Sequence, residues 1–193
     1  DSFRVLFAYH SGKIENDAIT YSDTREVFED GKVRSFEGDP RTLFEIKNQK
    51  TCYAFLLPKI TGGEPLSVAL VKEIHGILTA GTYDERRFLE KGERPGEFKH
   101  HDYVTGIHEV GSAPEDVEAD LSDLLDEVDD AAKKGLPPEN ALKAAAYLHA
   151  RFEHIHPFAD GNGRVGRTLV NYFLMTANHP PLIVYEDDRK EYY

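Results

Sequence analysis

The chain has 193 residues, 40% hydrophobic and 30% charged, with 35 acidic against 23 basic side chains and a formal net charge of −12. That length suits a single domain, and the acidic balance argues against general nucleic-acid binding, which needs Lys and Arg to displace counterions. One cysteine, Cys52, excludes an internal disulfide framework and a cysteine-based zinc site, and reads as a small buried apolar residue.

No cationic leader and no apolar run near 18 residues is present, so neither export nor a membrane span is expected, and the cytoplasm follows as the default. Met175 is the only methionine, so position 1 is not expected to be a native start. With no repeat, low-complexity tract or Gly/Ser linker, residues 1–193 read as one domain.

In chain order, residues 3–10 (Phe-Arg-Val-Leu-Phe-Ala-Tyr-His) are apolar enough for a buried helix or a strand. If a helix continues through them, Ser11 and Glu15 share a face at i,i+4, and Asn16 tolerates the left-handed conformation that ends helices. Ser22 or Asp23 can N-cap a short helix through Glu29, and Asp30-Gly31 reads as its turn. Lys32-Val33-Arg34 reads as a short strand.

Pro40 opens a helix over 41–57, with Leu43, Phe44, Tyr53, Ala54 and Leu57 as its core face, ended by Pro58 and Gly62-Gly63. Pro65 begins another to Leu78, with Leu70, Val71, Ile74 and Leu78 at helical spacing. His75 on it reads as structural, and Gly81 closes it. Residues 82–106 are rich in charge and turns. Their His100-His101-Asp102 cluster is a poor metal site, because adjacent strand residues face opposite ways.

Pro114 to Lys134 reads as a helix with Val117, Leu121, Leu124, Leu125 and Val128 on one stripe and its acids solvated. Glu139 to Ile155 is the next, stepping through Leu142, Ala145, Leu148, Phe152 and Ile155, with alanines at 144–146 for close packing. His149 and His154 look incidental to it. A last helix from Gly163 to Ala177 carries Val165, Leu169, Phe173 and Leu174 and is capped by Asn178. The acidic tail to Tyr193 reads as the start of a further element, cut short.

Between those last two helices lies the stretch that carries chemistry: His156-Pro157-Phe158-Ala159-Asp160-Gly161-Asn162-Gly163-Arg164-Val165-Gly166-Arg167. A loop that can expose backbone N–H groups, followed by a helix start and two arginines, is the layout of a phosphate site. Asp160 can hold Mg²⁺ while nucleotide phosphates complete its shell. His156 is suited to accept a proton near neutral pH. Phe158 reads as a core anchor, and Pro157 stiffens the exit from the preceding helix.

The twelve residues resemble the signature of Fic domains, H-x-F-x-[D/E]-G-N-G-R-x-x-R, at every defining position. The resemblance implies a mostly α Fic fold, a helical bundle with a small β-hairpin flap. It implies an adenylyltransferase moving AMP from ATP to a Tyr, Thr or Ser hydroxyl of a target protein, with Mg²⁺ as cofactor and self-modification as a further outcome. His156 would be the general base and Asp160 the Mg²⁺ ligand. Gly161, Asn162 and Gly163 would form the anion hole, the Asn162 side-chain amide included. Arg164 would bind the β- and γ-phosphates and Arg167 the γ-phosphate.

Ser11-x-x-x-Glu15-Asn16 resembles the family's inhibitory motif, [S/T]-x-x-x-E-[G/N], so residues 1–20 would include an inhibitory helix whose Glu15 pairs with Arg167. Gly96-x-Phe98-Lys99, followed by Tyr103-Val104, resembles the flap that docks the target, with Lys in place of Arg, over 96–106. Removal of AMP, with Glu15 orienting a water, transfer of another phosphate-containing group, and a silent scaffold are the alternatives. The intact His156, Asp160, Arg164 and Arg167 argue against the scaffold.

Overall fold

The computed structural model describes residues 2–104 and 110–192. Eight α-helices run in order: α1 Ser2–Glu15, α2 Tyr21–Asp30, α3 Pro40–Thr61, α4 Val68–Leu78, α5 Val117–Lys133, α6 Pro138–Ile155, α7 Asn162–Thr176 and α8 Arg189–Tyr192, with a π-helical turn at Arg86–Glu90 and a 3-10 turn at Glu186–Asp188. Among the described residues there is no strand, and no helix is long and apolar enough to cross a membrane.

Helices α6 and α7 pair most extensively, and α5 and α4 flank them. Their shared core holds Leu70, Val71, Ile74, Leu121, Leu148, Phe152, Val165 and Leu169, as the helical spacing predicts. Gly166 allows the close α6–α7 approach: a Cβ there would come 2.7 Å from Glu153 Oε1 and 2.8 Å from His149 Nδ1. Cys52 is buried, and burial pushes its thiol up to about 12.

Residues 2–15 form one helix, burying Val5, Ala8, Ser11 and Ile14 at three-residue steps. Asn16 ends it differently from expectation. It is not left-handed; its Oδ1 accepts from the Ala18 backbone N–H at 3.0 Å, while its own N–H still bonds Gly12 O. Asn178 does adopt the left-handed conformation after α7.

Several boundaries shift for reasons of capping. Thr20, not Ser22 or Asp23, caps α2 by accepting from Asp23 N. Ser67 caps α4 in the same way, so that helix starts after Pro65. Pro58 lies inside α3, which continues to Thr61. Residues 32–34 form bends, not a strand.

The buried face of α3 is also different: Phe44, Ala54 and Leu57 are exposed, whereas Thr42, Glu45, Asn48 and Gln49 point inward with Ile46, Cys52 and Leu56. Leu142 of α6 is exposed as well. Of this polar stripe Glu45 faces the site, whereas Asn48 donates to the Leu78 and Ala80 carbonyls at the end of α4.

Candidate active site

Helix α6 delivers His156 as its left-handed C-cap (φ 50), and α7 begins six residues later after Gly161 (φ 81). The turn between them is held from several sides. Phe158 is fully buried and its ring stacks on His75 of α4, centroids 3.7 Å apart and planes 2° from parallel. His75 Nε2 bonds the Asp160 carbonyl at 3.0 Å, and its Nδ1 accepts from Gly96 N at 2.8 Å. Burial drives His75 down to about 4, so it is neutral, as those two bonds require.

Asn162 closes the turn internally. Its Oδ1 accepts from Phe158 N at 3.0 Å, and its Nδ2 donates to Phe158 O at 2.8 Å and meets His156 Nε2 at 2.9 Å. This corrects one expectation: both amide hydrogens serve the loop, so the side chain does not point into an anion hole. The His156 imidazole also makes a backbone hydrogen bond to Glu153, and burial followed by the nearby Lys99 charge lowers it to about 4. It is an unprotonated base at neutral pH.

A cavity of about 990 Å³ opens onto His156, Asp160, Gly161, Gly163, Arg164 and Glu15. Arg164 and Arg167 are each 3% exposed. Arg167 is fully engaged: Nε donates to Ser11 Oγ at 3.0 Å, and Nη2 donates to Ser11 O at 2.9 Å and to Glu15 Oε1 at 2.8 Å. Burial alone would lower Arg167, but the Glu15 charge raises it above its ordinary value. Ser11 and Glu15 thus meet Arg167, 152 or more positions away in the chain, at one guanidinium.

Arg164 pairs with the buried Glu45 (Nη1–Oε1 3.3 Å) and lies 3.9 Å from Asp160. Among the described residues, its buried Nε and Nη1 have no hydrogen-bond partner. Nη1 thus has only its ion pair with Glu45, and buried donors of a charged group without a hydrogen bond are costly unless an acceptor satisfies them.

The sequence missed several residues here. Arg41 donates to Asp160 Oδ2 at 3.0 Å and to Glu45 Oε1 at 3.1 Å, and Arg87 lies 4.0 Å from the same Asp160 oxygen. Asn16 donates to Glu45 Oε2 at 2.8 Å. Glu153 is raised to about 7 by burial, and His149, lowered to about 4 by burial and by Arg167, contacts Tyr192 Oη through Nε2. His149 is therefore not incidental. The inward polar stripe of α3 was the available signal for Glu45 and its neighbours; nothing local marks Arg87 or Tyr192.

The segment 96–104 is irregular, and residues 105–106 of the expected flap lie outside the described residues. Phe98 packs against Phe158 and Lys99 is 1% exposed, donating to Val110 O at 3.0 Å, so neither side chain faces outward for docking. Tyr103 donates to the buried Glu93 at 2.8 Å. Val104 is 70% exposed, and with Tyr103 it lines the cavity.

The donor set also bears on a metal. Among the described residues no group of three or more His, Cys, Asp or Glu could cage an ion. The Asp160 carboxylate on the cavity instead fits Mg²⁺ that arrives with phosphates and keeps its waters.

Comparisons with known proteins agree on the family. The Fic/DOC family model matches residues 65–174. Protein adenylyltransferase Fic of Drosophila willistoni is 31% identical over 192 residues, 96% of this chain and 34% of the relative. The chain therefore spans about a third of the length of the curated relatives it matches. A Fic domain containing signaling protein from Bacteroides thetaiotaomicron superposes with a TM-score of 0.85 at 26% identity, covering 100% of this chain and 69% of that one. Fic-1 from C. elegans gives 0.81 at 25% identity, covering 99% and 53%. With the motif, the helical frame and the matched span in agreement, the chain belongs to the Fic/DOC family.

Proposed function

We propose that this chain is a protein adenylyltransferase domain that moves AMP from ATP onto a hydroxyl side chain of a target protein. The observation that carries the reading is a neutral, half-buried imidazole and a buried guanidinium with unbonded donors, both lining one cavity at the start of a helix. The names of the relatives, protein adenylyltransferases, support it.

In the reaction, the target oxygen attacks the α-phosphorus of ATP. The new O–P bond forms as the bond to the β-phosphate oxygen breaks and pyrophosphate leaves. The hydroxyl proton passes to His156 Nε2, which releases the Asn162 amide from that lone pair. Arg164 and the backbone amides at Asn162 and Gly163 hold phosphate oxygens, the Gly161 amide being taken by Asp160 Oδ1. Asp160 would hold Mg²⁺, which neutralises phosphate charge when bound. Val104 and Tyr103, at the mouth of the cavity, would meet the extended target segment.

Glu15 sets the resting level. Its carboxylate holds Arg167 and lies where a Cβ on Gly163 would overlap it, close to the α7 N-terminus. It competes with a γ-phosphate for the same arginine and repels it. Because that carboxylate also lines the cavity, removal of AMP with Glu15 orienting a water is the second reading.

Label transfer from α-³²P-ATP with Mg²⁺ tests this, scored on the chain itself and on added lysate. Label with Glu15→Gly, lost when His156→Ala is added, is the expected result. ATP binding without label from any variant would overturn AMP transfer, and AMP-modified substrates would then test removal.

A further inference from the structure

Arg41 lies outside the twelve-residue motif, yet it makes the closest side-chain contact to Asp160. It opens α3, next to Pro40, and reaches a carboxylate 119 positions away. The two oxygens of Asp160 are in different situations. Oδ1 accepts from the backbone N–H of Gly161 at 2.7 Å, which ties it to the loop. Oδ2 takes Arg41 Nη2 at 3.0 Å, with Arg87 Nη1 at 4.0 Å. Oδ2 is thus the oxygen available to an incoming cation, and a guanidinium stands on it.

Mg²⁺ binds a carboxylate oxygen at roughly 2.0–2.1 Å. It would then lie beside the Arg41 charge, and like charges at that separation repel strongly in a low-dielectric site. Arg41 therefore leaves Oδ2 when a metal arrives, but it does not leave the cavity. Its Nε is anchored to Glu45 Oε1 at 3.1 Å, and Glu45 is fixed by burial, by Asn16 and by Arg164. The Arg41 side chain is 35% exposed against 3% for Arg164, so it has room to turn.

We infer that Arg41 is a further donor-binding residue, one that exchanges the Asp160 carboxylate for the donor phosphates when a divalent cation takes that carboxylate. Released about its Glu45 anchor, its two Nη groups form a fork facing phosphate oxygens, which carry net negative charge even with one divalent cation bound. The inference rests on the donor-site reading above. It adds an arginine from α3, with Glu45 as the pivot that positions it.

The experiment separates metal from nucleotide and needs no turnover. In a Glu15→Gly background, Mn²⁺ binding without nucleotide is followed by electron paramagnetic resonance, and MgATP binding by calorimetry. Arg41→Met should bind Mn²⁺ about threefold tighter or more, because the competing charge is gone. It should bind MgATP about tenfold more weakly, the worth of one charge-assisted contact. Arg41→Lys should restore the Mn²⁺ competition and recover only part of the MgATP affinity, since it lacks the fork.

A folded Arg41→Met chain that binds both probes within twofold of its parent overturns the inference. So does weaker MgATP binding with unchanged Mn²⁺ binding, which removes the exchange. If Arg41→Met does not fold, Arg41→Lys decides, and unchanged MgATP affinity sinks the idea. If the Glu15→Gly parent binds no MgATP, the donor-site reading itself falls.

Discussion

His156 occupies left-handed backbone, a conformation that costs a non-glycine residue about 1–2 kcal/mol. The surrounding bonds from Asn162 and the α6 carbonyl at Phe152 hold it there. Replacing His156 by Ala in the Glu15→Gly chain should lower label transfer by about 10²–10⁴, the usual worth of a general base. Gly161→Ala should destabilise the fold by about 1–3 kcal/mol in urea titration, because a Cβ there meets left-handed strain and Thr79 Cγ2 at 2.6 Å.

Acid should also weaken the molecule. His75, His149 and His156 titrate near 4 when folded against 6.5 for the free group, so the unfolded chain takes up their protons first as pH falls. Their stabilisation is complete above 6.5 and is lost toward 4. Glu153 works the other way, held near 7 against 4.5, so its contribution fades as pH rises between those values. Three histidines against one carboxyl leave a net loss of up to roughly 2.7 kcal/mol per pH unit on going from 6.5 to 4.5. Urea midpoints measured across that range check the slope, and a flat profile would contradict it. At this scale the motif residues were legible because they are contiguous. Arg41, Arg87, Glu153 and Tyr192 were not, because only folding brings them to the motif.

Among the elements, the α6–α7 turn depends on α4 more than its own sequence suggests. Phe158 is wedged among His75, Phe98 and Phe152, and His75 ties the turn to Gly96. Phe158→Ala should cost about 3–5 kcal/mol by denaturant unfolding and loosen Asp160 with it. Helix existence followed from apolar spacing at α4, α5, α6 and α7. Helix starts were less readable, since Thr20 and Ser67 act as caps from outside the apolar pattern. α3 misled because its inward face carries Glu45, Asn48 and Gln49, polar groups that an amphipathic reading assigns to solvent. The irregular 93–103 segment is organised instead by buried Glu93, which accepts from the His100 N–H and from the Tyr103 hydroxyl and pairs with His101.

At the scale of the whole molecule, the tail returns to α1. Glu186 accepts from Tyr9 Oη at 2.8 Å and contacts His10 Nδ1, while Arg189 reaches Asp17 at 3.3 Å. The Glu186 carboxylate also pushes the Tyr9 phenol up to about 12. Tyr192 adds a bond to Arg167 Nη1 at 3.3 Å. Replacing Glu186 by Gln and Tyr9 by Phe together should speed hydrogen exchange across residues 9–15 several-fold and raise label transfer, with Glu15 itself unchanged. Mass spectrometry of the exchanged peptides checks it, and unaltered protection would argue that α1 is held by Arg167 alone.

The tail's two grips straddle Glu15, one on α1 near Tyr9 and His10 and the other at Asp17, two residues past the end of α1. A rod held partway along and again just past its tip cannot swing that tip, however weak the bond at the tip is. On the proposed reading of Glu15 as the brake, its withdrawal would be a sequence of events in time: the tail lets go, α1 tilts, and only then does Arg167 come free.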